Sequence, residues 1–154
     1  MPQLVKGGKY VFGWSRIMSN GLVIIPPEAI VEYKLKTGKE VILISGSKTS
    51  GGFVITAKSL LKRSAIGDMV LKNPELKNSY NKDGKITEYK NRKYGWTEIR
   101  ILNSIKLSKQ MLEAFGIRPG DELLSVRGSH VGIGMIVKGP LIEHAKKHPE
   151  VNHF

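Results

Sequence analysis

Displaced by 82 positions, the sequence aligns with itself, and Phe12–Leu60 lies on Tyr94–Ile142 without a gap. The matches fall where physics restricts the choice. Gly13-Trp14 meets Gly95-Trp96, Ile17 meets Ile99, Gly38 and Glu40 meet Gly120 and Glu122, Gly46-Ser47 meets Gly128-Ser129, and Gly52 meets Gly134. Eight identities in 49 positions are few, so the weight comes from apolar residues meeting apolar residues. Val23 meets Ile105, Ile25 meets Leu107, Tyr33 meets Phe115, Leu35 meets Ile117, Val41 meets Leu123 and Phe53 meets Met135. Two copies of one supersecondary unit follow. One copy, of about 50 residues, exposes too much surface for its core and needs a partner. Here that partner is covalently attached.

Each copy reads strand, strand, helix, strand, strand. "YVFGWSRIM" alternates, "SNG" supplies a turn, and "LVIIP" is a short buried run that Pro26 ends because proline cannot donate to a ladder. Pro27 suits the first turn of a helix and Glu28 its positive end, so "PPEAIVEYKL" starts as a helix with Ile30, Tyr33 and Leu35 as its apolar stripe. In the second copy Ser108 caps the helix of "LSKQMLEAFGI" and Gly116 closes it. Glycine-rich hairpins follow in both copies, "GSKTSGG" and "GSHVGIG", and "AKSLLKRSA" and "GPLIEHAKKHPEV" read as terminal helices. The organisation is a first repeat over 1–65, a polar lysine-rich linker over 66–93 and a second repeat over 94–154.

Charge is the strongest bulk signal: 25 Lys and Arg against 13 Asp and Glu leave +12, which attracts polyanions. Residues 1–65 carry +7, 66–93 carry +3 and 94–154 carry +2, so the first repeat is expected to dominate a basic face. No cysteine is present, which excludes disulfides and thiolate chemistry. No run of about 18 apolar residues or signal-like N-terminus appears, and a cytoplasmic protein without a membrane partner is expected.

A short strand ending in Ile-Pro, a Glu-containing helix and a Gly-Asp turn into a hairpin resemble the AbrB/SpoVT family of swapped-hairpin domains, also seen in MazE-type antitoxins. The first copy carries "GLVIIPPE" and the second "LEAFGIRPGDEL". The resemblance implies a mostly β protein with short helices (α+β), built from two tandem ββαββ half-domains. These would form an intramolecular pseudo-dimer with a double-psi, barrel-like core, able to pair again as a homodimer. It also implies a transcription regulator that binds double-stranded DNA through the first strands, the loop between them and the helix start. Arg16 falls on the first strand as the resemblance implies; in the second copy Glu98 stands at its equivalent, and Arg100, Lys106 and Lys109 bring positive charge nearby.

Lys34, Lys36, Lys39 and Lys48, with Lys58, Lys62 and Arg63, read either as a phosphate-contacting surface, with RNA as a further candidate ligand, or as ordinary solvated lysines. The family's Gly-Arg before the second strand reads Gly21-Leu22 here, and its helix arginines read Ile30 and Val31. Those changes give a second reading, a ligand- or protein-binding module with an apolar patch. Trp14 and Trp96 either stack on bases or fill the core, and their repetition favours packing. The glycine-rich loops lack a P-loop's Lys-Ser/Thr ending and read as hairpin turns. His144 and His148, four apart on an expected helix, permit a metal on one face. No nucleophile elbow or paired-carboxylate pattern is present, so neither an enzyme nor a bound cofactor is expected.

Overall fold

The computed structural model of the chain describes residues 9–61, 84–129 and 132–154. The first copy forms β1 (Val11–Arg16), β2 (Leu22–Ile24), α1 (Pro27–Glu32), β3 (Glu40–Ser45) and β4 (Phe53–Thr56), followed by α2 (Lys58–Leu61). Next come β5 (Ile86–Tyr89) and β6 (Arg92–Glu98), then β7 (Ser104–Lys106), α3 (Lys109–Ala114), β8 (Glu122–Ser129), β9 (Gly132–Ile136) and α4 (Pro140–Lys146). The protein is thus mostly antiparallel β with a few short helices, as the sequence predicts.

The prolines act as expected. Pro26 has the extended conformation of a cap residue, its carbonyl accepts from the N–H groups of Ala29 and Ile30, and Pro27 opens the helix. Ser108 Oγ accepts from Met111 N at 3.1 Å and caps α3, and Gly116 follows that helix at φ +66°.

Strand pairing crosses between the copies. The larger sheet runs β1-β8-β9-β4-β3-β6-β5, and β2 pairs with β7 in a separate two-stranded ribbon. β1 of the first copy lies against β8 of the second, with Trp14 opposite Leu124. In the reciprocal arrangement β6 lies against β3, with Trp96 opposite Ile42. Val23 faces Ile105 in the ribbon, and β4 meets β9 at the centre of the large sheet. One core therefore draws on both copies: Val23, Ile25, Ile30, Tyr33 and Leu35 pack with Ile99, Ile105, Met111, Phe115 and Leu123.

Both Gly-Trp pairs are packing devices. Trp14 is 7% exposed in a second cluster with Val11, Leu124, Ile142 and Val151, and Trp96 is 3% exposed. Residues 152–154 run along β1: Trp14 N donates to Asn152 O and Phe154 N to Trp14 O, each at 2.8 Å. Gly13 makes this possible, since a Cβ there would stand 2.6 Å from the Phe154 ring and 2.8 Å from Asn152 O. Gly95 likewise seats the ends of Met111 and Ile86, at 2.9 and 3.1 Å from where its Cβ would be.

One boundary differs from expectation. Residues 86–93 of the expected linker are not linker: β5 and the start of β6 form a hairpin whose turn residues, Lys90 and Asn91, both have positive φ. Glycine-free turns of this kind carry a weak sequence signal, so the hairpin is not marked in the sequence. The stretch 66–83 lies outside the described residues.

The two copies are also tied by charge. The Arg127 guanidinium of β8 grips the Glu32 carboxylate at the end of α1 through two hydrogen bonds and lies 4.4 Å from the centre of the Tyr10 ring. Burial beside this pair, with Glu32 adding to the effect, pushes the Tyr33 hydroxyl up to about 12.

Two predictions follow from this packing. Gly13→Ala forces Phe154 and Asn152 off β1, so the denaturation midpoint should fall by the equivalent of about 1–3 kcal/mol; an unchanged midpoint would contradict the tail's seating. Tyr33 favours its neutral form in the folded state, so its contribution is complete below its ordinary pKa of 10 and disappears as pH rises toward 12. Stability measured across that window should fall, and Tyr33→Phe should flatten the dependence. An equally steep fall in the variant would assign the loss to other groups.

Candidate nucleic-acid interface

The β2–β7 ribbon turns Val23 and Ile105 into the core. Its other side carries Leu22 and Ile24, half-buried, with exposed Lys106 directly opposite Leu22. A turn abuts each end. Residues 18–21 form the first, where Met18 N donates to Leu22 O and Leu107 N donates to Gly21 O at 2.8 Å. Residues 100–104 form the second, closed by Arg100 N to Ser104 O at 2.6 Å, Ser104 N to Arg100 O at 3.3 Å and Ser104 Oγ to Ile101 O at 2.8 Å. Ile25 N donates to Asn103 O, which holds this turn against the start of α1.

Four of the predicted cations lie around this ribbon. Arg16 ends β1 and leads into the first turn, Arg100 opens the second, Lys106 is on β7, and Lys109 starts α3 two residues beyond Leu107. All four are exposed, and none is held in an ion pair among the described residues. Three of them come from the second copy, although the charge count favoured the first.

The other predicted cations divide. The turn carrying Lys36 and Lys39 backs onto Arg100's strand end, with Gly38 N donating to Ile99 O at 2.7 Å and Ile99 N to Lys39 O at 2.9 Å. Lys36 is exposed there, and Lys39 Nζ turns away to Ser59 Oγ at 3.1 Å. Lys34 follows α1 with a left-handed φ of 56° and is exposed. Lys48 does not join the ribbon. It sits in the loop 46–52 beyond the far end of β3, roughly 20 Å of strand from Lys39. That loop packs on residues 137–139, with Val137 N donating to Ser50 O. Lys58 Nζ lies 5.3 Å from the centre of the Trp96 ring, and Lys62 and Arg63 lie outside the described residues.

The apolar patch expected from Leu22, Ile30 and Val31 does not form, because helical spacing sends Ile30 inward with Tyr33 while Val31 is 76% exposed on the opposite face. A different pair stands out. Ile101 is 75% and Leu102 79% exposed at the tip of the second turn. Leu102 is left-handed (φ 59°, ψ 28°), as is Asn103. The signal available in the sequence was their alignment with Ser19 and Asn20, ordinary turn residues, in the first copy.

The expected histidine pair does not share one helix. α4 ends at Lys146, so His148 lies past the helix that carries His144. His148 Nδ1 instead meets Glu150 at 2.8 Å, and Glu150's own backbone N–H, helped by His148, holds that carboxyl below its ordinary value. His153 stacks on Trp14 at 6.2 Å and approaches Glu122 at 3.6 Å. Trp14, Asp121, Glu122, Lys146, His148 and His153 line a cleft of about 450 Å³. No group of three or more His, Asp or Glu that could hold a metal occurs among the described residues. No described helix is long and apolar enough to cross a membrane.

A left-handed leucine costs about 1–2 kcal/mol relative to a residue that tolerates that conformation. Leu102→Asn is therefore expected to raise folding stability by about 0.5–1 kcal/mol, with little burial lost. A lowered denaturation midpoint would show that Leu102 supports the fold.

No family model matches the chain, and no curated protein matches it. Among solved structures, the solution structure of PHS018 from Pyrococcus horikoshii is similar over 84% of this chain and 97% of that one, at 15% identity and a TM-score of 0.36.

Proposed function

We propose that this chain is a DNA-binding regulator of AbrB-like type, made of two fused swapped-hairpin half-domains whose β2–β7 ribbon lies against duplex DNA. The observation that carries the reading is the set of four exposed cations, Arg16, Arg100, Lys106 and Lys109, around a two-stranded ribbon in a chain of charge +12. The crossed pairing of β1 with β8 and of β6 with β3 supports the swapped-hairpin part of the reading. Two-stranded ribbons fit duplex grooves, and exposed cations at their margins neutralise phosphates. Arginines can also fork onto guanine edges, whereas lysines supply charge with little direction. The binding face is drawn from both copies, and affinity comes chiefly from the phosphate backbone.

Binding to a fluorescein-labelled duplex, followed by anisotropy, should weaken steeply from low to moderate salt. Lys106→Gln and Lys109→Gln should each reduce the slope of log K against log salt by about 0.9 and weaken binding alike for unrelated sequences. Lys48→Gln should change neither. Absence of duplex binding at low salt, or slopes that respond to Lys48 and not to Lys106, would reject the interface.

A further inference from the structure

Resting on that reading, we infer that Ile101 and Leu102 form an apolar wedge that enters the base stack of bound DNA and kinks it at a deformable step. The turn is costly for the isolated protein, since it leaves two large aliphatic side chains 75% and 79% exposed and holds Leu102 left-handed. The scaffold does not require them. The pseudo-equivalent positions are the polar Ser19 and Asn20, which connect the same two strands of the first copy, where the one large apolar side chain, Met18, is 41% exposed against 75% and 79% for Ile101 and Leu102.

The turn is pre-organised. Both Arg100–Ser104 backbone bonds, the Ser104 hydroxyl on Ile101 O and the Ile25 bond to Asn103 O fix it at the ribbon's end, so little conformational freedom remains to be lost on insertion. Its surroundings select the occupant. Arg100 precedes the tip and Lys106 follows, so the ligand should have an anionic exterior and an apolar interior reachable by two side chains. A DNA duplex meets that description, and apolar wedges between base steps are an established way for minor-groove proteins to kink it. A membrane surface has related chemistry, but a single two-residue tip buries too little area for stable anchoring.

The pseudo-symmetry adds a consequence. Only one of the two turns carries the wedge, so the kink is displaced to one side of the ribbon. The favoured ligand is duplex DNA with a pyrimidine–purine step, which unstacks more readily than an A-tract.

The test uses the full chain and duplexes carrying a fluorescent adenine analogue at a central TA step. Wild-type binding should raise the analogue's fluorescence through unstacking, and the TA duplex should bind at least about threefold tighter than an A-tract duplex. The double variant Ile101→Ser/Leu102→Asn should lose both effects and keep the salt slope, because its phosphate contacts are untouched. Its circular dichroism and denaturation midpoint separate loss of the wedge from loss of the fold. Wild-type binding without a fluorescence rise, or an equal rise in the variant, would overturn the wedge and leave the DNA-binding reading standing. No duplex binding at low salt would overturn both. Binding to phosphatidylserine vesicles that depends on Ile101 and Leu102, with duplex binding indifferent to them, would overturn the wedge in favour of a membrane surface.

Discussion

The hydrogen-bond ladders between the two copies are the constraint on which the remaining structure rests. Among the described residues β1 pairs with β8, β6 pairs with β3 as well as with β5, and β2 and β7 pair only with each other. Neither copy can satisfy the backbone of its first two strands alone, and unpaired buried N–H and C=O groups are too costly to leave. The larger apolar cluster follows from the same exchange, because crossing strands carry Ile17, Val23, Ile99 and Ile105 into common contact. The ribbon exists only where the two copies meet, so the proposed interface is a product of the pairing and belongs to neither repeat.

How much of this was legible in the sequence depends on the range of the interaction. Local chemistry was readable: Pro26 and Pro27 ended β2 and began α1, and Ser108 capped α3. Helical spacing accounted for the inward Ile30 and Tyr33, whereas Leu35, expected on the same stripe, is buried beyond the end of α1 after the left-handed Lys34; the paired positions of Trp14 and Trp96 pointed to packing. β5 was not readable, because its residues alternate weakly within a lysine-rich stretch and its turn uses Lys90 and Asn91 where glycine is the usual mark. The distribution of cations was also hidden. Counting charge by segment favoured the first copy, yet strand crossing sets Lys106 and Lys109 beside the turn that follows Arg16.

The exposure of Ile101 and Leu102 is hidden in the sequence for a related reason. An apolar pair between two strands reads by default as core, and only tertiary structure reveals that the turn points both side chains outward. The comparison that exposes them is internal. Two turns in equivalent places perform one structural task, and the copy with aliphatic residues departs from the chemistry that task requires. The end of α4 at Lys146 was likewise not marked in the sequence, and it leaves His148 beyond the helix, where its ring meets Glu150.

Amide chemical-shift mapping with a short DNA duplex tests the central claim most directly. The account predicts shifts concentrated at Leu22, Arg100, Ile101, Leu102, Lys106 and Lys109, with Lys48 unmoved. Shifts centred instead on the cleft around Trp14, His148 and His153, or scattered over the lysines without regard to the ribbon, would contradict it.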